Sequence, residues 1–491
     1  MKKVIIVFFF CAFTSLVNAN INVFNEITIP KEFKTENTFS GDLSDKDSFH
    51  LIFAKNKKTK NYKVFSYLFD GNTSVELPSL INEKSYGVVS FHQKNNILSL
   101  LLSYKIKKES FVKTVHYNLK TKEKKEFEAV SHNDFMTSIR KKDQSILIYK
   151  TDDAFIVSSF VGNNKPNSKE LALDKDSDVK RFFKNESVTS IKTDEFVANG
   201  STNKVRLYFE NNTLFFTRDS DEPFNFNVGG IPLNNKKANI TELLKFNLSE
   251  STLKPVFFTF ENANGEKFKK ATSFFTKDKL FQLALSKKAG FINIADVNTG
   301  KSLNVIAFDE LLSNKIKGNP EFQGIEKFLK NAGKNKYNAT ITANKTKSDK
   351  IRVRVDYVDI SYNYNYNWWW HHQQFMWHMQ QHQMQMIQQN IQRNIPSGFG
   401  PRVVDDYVFE NAIILKEKRF FELLIDLNGD LINEELPETI YKEIDKKEYI
   451  DKLDEISTYS NESSCFLKDS FRFIAYDKKN KKFVIQTNTI K

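Results

Sequence analysis

Between Tyr362 and Asn394 the chain gathers side chains with chemistry of their own. Tyr362, Tyr364 and Tyr366 alternate with Asn, Trp368-Trp369-Trp370 and His371-His372 follow, and then Phe375, Met376, Trp377, His378, Met379, His382, Met384 and Met386 stand among glutamines. All 4 Trp of the protein lie here, with 4 of its 8 His and 4 of its 6 Met. No Gly or Pro interrupts residues 370–393, and Gln and Met favour helix, so a helix ending before Pro396 is expected. On such a helix His371, Phe375, His378 and His382 form one stripe, and His378 with His382 has the i, i+4 spacing at which two imidazoles chelate one ion. The thioethers of Met376, Met379, Met384 and Met386 are soft donors that no proton displaces, a set that selects Cu(I). The lack of acids in the cluster disfavours a hard metal.

This grouping of Met, His and Trp resembles the clusters of periplasmic copper-handling proteins in its side-chain types, and the resemblance implies an extracytoplasmic copper site with Trp377 packing over the ion. Three other readings stand beside it. Trp368, Trp369, Trp370, Phe375 and Trp377 can rest at a membrane interface, where indole prefers the headgroup zone, or can contact a protein partner. The Tyr-Asn and Gln-rich composition also suits a self-associating tract without a ligand.

Elsewhere the signs of catalysis are sparse. The chain has no G-x-S-x-G elbow, H-E-x-x-H helix, phosphate-cradling Gly loop or C-x-x-C pair. Ser201 to Lys204 has the S-x-x-K spacing of serine acyl enzymes but stands before a strand rather than opening a helix. Asp405-Asp406 and Glu434-Glu435 are adjacent acids whose side chains would point to opposite faces of a strand. His50, His92, His116 and His132 are scattered, and His116 shares the alternate face of Thr114 and Asn118, so it is expected to face solvent. Asp426 to Asp430 places Gly429 fourth where a calcium loop needs Gly sixth, and reads as a turn. No catalytic residue is assigned. An envelope hydrolase whose carboxylates come from distant loops remains a further alternative.

The elements that must position these residues are short strands. Val64 to Phe69 runs into Asp70-Gly71; Ile146 to Tyr149 and Phe155 to Val157 flank Thr151-Asp152-Asp153; Val205 to Phe209 and Leu214 to Phe216 flank Asn211-Asn212. Each is strand, tight turn, strand. The 46 Phe and 17 Tyr suit pleated, half-buried surfaces. Leu280 to Leu285, Phe291 to Ala295, the turn Asp296 to Lys301 and Leu303 to Phe308 resemble the last three strands of a β-propeller blade, with its Asp-x-x-Thr-Gly-Lys turn. The resemblance implies an irregular, mainly β propeller; two or more β-sandwich-like domains are the alternative. Ile27 to Ile29 and Phe483 to Gln486 are the candidates to close a ring. Ile351 to Tyr357 and Tyr407 to Leu415 read as strands, which makes residues 362–400 an insertion between neighbouring strands of a β domain that begins at residue 20 and is completed by residues 401–491. Helical periods are few: Ile325-Phe328-Leu329-Ala332, a short segment near Phe308 to Ile316, and a segment near 438–456.

Composition narrows the class. At 40% hydrophobic and 27% charged, the 491 residues are neither a disordered chain nor a multi-span membrane protein. The excess of 73 basic over 60 acidic residues is nearly all Lys, dispersed over runs such as Lys55 to Lys60 where hairpin tips or edge strands are expected, and with few Arg for bidentate base contacts a nucleic-acid partner is disfavoured. Residues 401–460 reverse the sign, with 8 bases and 16 acids, so contact between this region and the basic remainder is possible. Met1-Lys2-Lys3, the apolar run Val4 to Phe13 and Val17-Asn18-Ala19 form a secretory signal peptide of residues 1–19, which predicts a periplasmic, secreted or cell-surface protein. Cys11 leaves with it, and Cys465 in Ser464-Cys465-Phe466-Leu467 is expected to be buried. The function these features favour is a non-enzymatic binding or scaffold protein of the cell envelope, with 362–394 as the contact element for a protein or membrane-surface partner.

Overall fold

The computed structural model describes residues 22–490 except 72, 163–165, 185, 199, 221–238, 262–267, 310–311, 313–314, 317–321, 336 and 360–419. Among the described residues, strands broken by tight turns form seven separate sheets, six of them from consecutive stretches of chain. After β1 (Asn22–Ile27), blade 1 is β2 (Phe33–Asp42), β3 (Ser48–Asn56), β4 (Tyr62–Phe69) and β5 (Ser74–Asn82). Blade 2 is β6 (Gly87–Lys94), β7 (Ile97–Ile106) and β8 (Glu109–Asn118), edged by β9 (Lys124–Glu126) and β10 (Val130–Ser131). Blade 3 is β11 (Phe135–Arg140), β12 (Gln144–Lys150), β13 (Ala154–Val161) and β14 (Asn167–Ala172).

A short helix α1 (Asp178–Phe182) leads to blade 4, which has an extra strand β15 (Val188–Ser190) beside β16 (Val205–Glu210), β17 (Thr213–Ser220), β18 (Ile240–Asn247) and β19 (Val256–Glu261). Blade 5 is β20 (Lys270–Thr276), β21 (Lys279–Leu285), β22 (Gly290–Asp296) and β23 (Ser302–Ala307). Helix α2 (Ile325–Ala332) precedes blade 6: β24 (Tyr337–Lys345), β25 (Ile351–Asp359), β26 (Phe421–Ile425) and β27 (Leu431–Ile432). Helix α3 (Lys446–Asp454) precedes blade 7: β28 (Tyr459–Phe466), β29 (Ser470–Asp477) and β30 (Lys482–Thr489), with β1 as its fourth strand. This is a seven-bladed β-propeller, and the sandwich alternative falls away because each sheet is a local meander rather than half of a face-to-face pair.

The ring closes where the sequence suggested. β1 pairs antiparallel with β30, Ile27 opposite Phe483, so the first strand completes the last blade. At the same seam Thr38 Oγ1 donates to Asn461 O at 2.9 Å and Ser40 Oγ lies 2.8 Å from Ser463 Oγ. The register of β2 against β28 rises in step, so these innermost strands run in the same direction. Apolar clusters bind the other seams: Phe39, Phe49 and Phe91 join blades 1 and 2; Leu101, Leu147 and Phe160 join 2 and 3; Phe155, Phe216 and Phe246 join 3 and 4; Tyr208, Phe275 and Ile341 join 4, 5 and 6. Aromatic side chains fill these wedges because a ring spans the widening gap between twisted sheets with two rotatable bonds.

Hairpin chemistry agrees with the sequence. Asn211 and Asn212 take φ of 47° and 57°, the left-handed pair that a two-residue turn requires. Asp426 Oδ1 accepts from Asn428 N and Asp430 N, both at 2.8 Å, which makes this loop a side-chain-closed turn. The blade resemblance at 280–308 corresponds to β21, β22 and β23. Helix α2 buries Ile325, Phe328, Leu329 and Ala332, the face its period predicts. The expected helix near 438–456 is shorter, because Ile440 N bonds to Lys345 O and Thr439 bridges to Thr346, which hold the preceding residues extended against blade 6. Helix formation starts only at Asp445, whose carboxylate caps Glu448 N. The signal segment 1–19 and the strand expected at Tyr407 to Leu415 lie outside the described residues, as do residues 310, 311, 313 and 314 of the segment near Phe308 to Ile316.

Candidate functional site: a filled axis and an insertion on one face

β15 and β16 are parallel neighbours, Val188 opposite Val205, so the chain between them must return the length of the blade. It does so along β24. Val197 N donates to Asn344 Oδ1 and Asn344 Nδ2 donates to Val197 O, both at 2.9 Å; three residues on, a Cβ on Gly200 would lie 2.6 Å from Ile341 O. Thus the described residues of 191–204, all but 199, run down the inside of the ring as an axial plug, held by blade 6 on one side and by Lys141 of blade 3 on the other, 3.3 Å from Thr193 Oγ1 and 3.4 Å from Asp194.

Charges collect where the plug begins. Arg140, at the end of β11, forks onto Asp42 at the end of β2 with contacts of 2.8 and 2.9 Å, and its guanidinium lies 3.8 Å from the centre of the Phe91 ring. Lys446 donates to Glu195 at 2.7 Å. Burial alone would raise the Glu195 carboxyl, but Lys192 and Lys446, then Arg140, outweigh it and hold the pKa at about 2. Phe196 packs under Arg354 and Arg352, at 5.3 and 5.9 Å, and these reach Glu422 and Glu443: Arg352 Nη2 to Glu422 at 2.6 Å and Arg354 Nη2 to Glu443 at 2.7 Å. The acidic stretch around 434–443 therefore does meet basic partners, Lys347, Lys350, Arg352 and Arg354 among them. A cavity beside this stretch, lined by Glu195, Phe196, Phe274, Lys345 and Tyr441, is about 20 Å³, room for a water rather than a substrate.

Buried polar groups elsewhere act as seam locks. His50 Nδ1 lies 2.8 Å from Ser40 Oγ and Nε2 3.0 Å from Ser48 Oγ, to which Arg472 also donates. Ser40 and His50 have the spacing of a nucleophile and its base, but His50 is fully buried, and burial, reinforced by Arg472, lowers its pKa to about 3. Ser145 joins Ser90 and His92 across blades 2 and 3 at 2.8 and 3.0 Å. Arg206 reaches Asp219, Ser201 O and Thr272 across blades 4 and 5.

The remaining sequence candidates separate. His116 is buried rather than solvent-facing, because β9 pairs alongside β8 and Phe127, just beyond it, packs 4.5 Å from its ring. Ser201 is buried with its Oγ accepting from Asn203 N, whereas Lys204 is exposed beside Glu186, so no S-x-x-K site forms. Cys465 is buried, which pushes its thiol up to about 12. Glu434 pairs with Lys350 at the surface. Among the described residues no cluster of His, Cys, Asp and Glu could hold a metal, and no helix is long and apolar enough to cross a membrane.

Met376, His378, Met379, His382, Met384 and Met386, with Trp368, Trp369, Trp370, Phe375 and Trp377, lie outside the described residues, as do Asp405 and Asp406. Their tether is well defined. Val355 of β25 pairs with Phe421 of β26, so residues 360–419 occupy the connection between the second and third strands of blade 6. Sequence reasoning missed the plug, for which an Asn in a strand was the sole local sign.

No protein-family model matches this sequence, and no curated protein matches it. Solved structures similar in fold include the β-propeller domain of the trilobed protease from Pyrococcus furiosus, at 8% identity over 66% of this chain and 81% of that one, with a TM-score of 0.31. Another is the WD40 domain of SCAP from fission yeast, at 7% identity over 94% and 99% of the two chains, with a TM-score of 0.27.

Proposed function

We propose that this propeller is a non-enzymatic binding or scaffold protein of the cell envelope, exported by its residues 1–19, in which the 362–394 insertion is the contact element. The observation that carries the reading is the placement of the insertion: a ring whose inner side holds its own 191–204 stretch against blades 3 and 6 presents, between the second and third strands of blade 6, the segment that holds every Trp of the protein. A plugged axis favours recognition by the faces of the ring over recognition within it. The test is capture of envelope partners by full-length protein and by a variant lacking residues 367–394. Loss of capture by the deleted variant, with its thermal melt unchanged, supports the contact role; unchanged capture overturns it. Titration of Cu(I) under reducing conditions, read by Trp emission and bound metal, tests the copper alternative on the same two proteins. Stoichiometric binding confined to the full chain would put metal handling first.

A further inference from the structure

Because the innermost strands run in one direction, the turns between second and third strands lie on one face of the ring, together with the links between blades, except that the acidic start of the link from blade 6 to blade 7 turns to the other face, where Glu434 and Glu438 meet Lys350 and Lys347. The contacts agree: Lys57 N bonds to Glu32 O, Lys478 N to Thr458 O and Leu173 N to Asp153 O, each joining such a turn to such a link. On this face the turns 57–61, 107–108, 286–289 and 478–481 read KKTKN, KK, SKKA and KKNK, ten lysines and no acid. All ten are exposed. Lys57, Lys60 and Lys478 donate to backbone carbonyls, and none of the ten is in an ion pair.

The opposite face provides an internal contrast. Its seven turns between first and second strands hold seven lysines and six aspartates. Lys141, Lys277, Lys347, Lys350 and Lys468 there are paired with acids. The lysine turns belong to blades 5, 7, 1 and 2, an arc interrupted only by blade 6, which carries the 360–419 insertion from the same face. Blade 3 breaks the arc with Asp152 and Asp153.

We infer that this arc is a docking surface for an anionic phospholipid bilayer. Lysines at turn tips without acidic partners are point charges suited to headgroup phosphates, and a set spread over one face of four blades matches an extended charged surface rather than a groove. The scarcity of Arg disfavours nucleic acid as the occupant. The inference deepens the contact reading by naming the partner, and it rests on that reading only in that the 360–419 connection leaves blade 6 on this same face.

The test is co-sedimentation of the full chain with phosphatidylcholine vesicles, with and without phosphatidylglycerol, at low and raised salt. Binding is expected only to the anionic vesicles and should weaken with salt. Changing Lys58, Lys108, Lys287, Lys288 and Lys479 to Glu should reduce partitioning on the order of a hundredfold or more. The same number of reversals on the opposite face, at Lys46, Lys120, Lys142, Lys301 and Lys468, should leave it largely intact, although the net charge changes equally. Equal loss in both variants, no binding of the unaltered chain, or tighter binding to duplex DNA than to vesicles would each overturn the inference. Replacing Trp368, Trp369, Trp370 and Trp377 by Ala separates the two proposals. Loss in that variant with binding intact in the lysine variant would sustain the insertion and sink the lysine arc; the reverse would sustain the arc alone.

Discussion

The side-chain amide of Asn344 closes both main-chain hydrogen bonds of Val197, 147 residues earlier in the chain, and so ties the axial plug to the innermost strand of blade 6. An amide supplies one donor and one acceptor in a fixed plane, which makes Asn a substitute for a strand neighbour. Replacing it with Leu, close in size, leaves a buried N–H and C=O without partners. Destabilisation of roughly 2–4 kcal/mol is expected, with faster amide exchange at 195–198 than elsewhere in blade 4. Uniform exchange across the ring would show that the plug is held by other contacts.

Gly200 is required by proximity. A methyl group there would meet Ile341 O at 2.6 Å and Ile341 N at 3.0 Å, both backbone atoms of a central strand that cannot give way. Gly200→Ala should cost roughly 1–3 kcal/mol by urea denaturation. A neutral result would mean that the plug does not press on β24.

Arg140 joins three blades, pairing with Asp42 of blade 1 across Phe91 of blade 2. Its side chain is 24% exposed and that of Asp42 41%, so solvent screens the pair. Arg140→Lys keeps the charge and loses the fork; a loss of about 1 kcal/mol is expected, and a double-mutant cycle with Asp42→Asn should show coupling of the same sign. Additive effects would remove the ion pair from the account.

Acid should loosen the ring through its buried histidines. Burial lowers His50 to about 3 and His92 to about 4, below the ordinary 6.5, so the unfolded chain binds more protons than the folded one between those values. Stability is therefore retained above pH 6.5 and lost as pH falls, by up to about 1.4 kcal/mol per pH unit for each histidine. Denaturation midpoints measured from pH 7 to 4 should fall less steeply in His50→Asn than in the unaltered chain. Identical slopes would exclude His50 as a source.

Glu462 should act in the opposite sense. Burial, then the neighbouring Asp454 carboxyl on α3, raises it to about 7, so here the folded state holds the extra proton between the ordinary carboxylate range and neutrality. Its contribution is present at low pH and fades as pH rises through about 7. Carbon-detected NMR titration should place Glu462 lower in Asp454→Asn; an unmoved titration would leave burial as the whole cause.

How much of this was legible beforehand follows from contact range. Alternation and turn residues marked the hairpins of blades 1, 3, 4 and 5, the blade at 280–308, the buried Cys465 and even the pairing of the first strand with residues 483–486. Those features depend on neighbours in sequence, or on two strands that both lacked a local partner. His116 was misread because strand alternation says which residues share a face, and only the neighbouring strand β9 and the Phe127 ring that follows it decide whether water reaches it. Asn344 with Val197, Arg140 with Asp42 and Glu195 with Lys446 left no pattern, since their partners come together only when the ring closes. The lysine-rich turns were visible as composition, but which of them share a face was settled by the common direction of the innermost strands. The chain by itself determined the repeating strand units and their turns, through local hydrogen bonding and side-chain periodicity. Tertiary structure decided the filled axis, the polar locks between blades and the unequal charge of the two faces, because each depends on packing separate sheets around one axis.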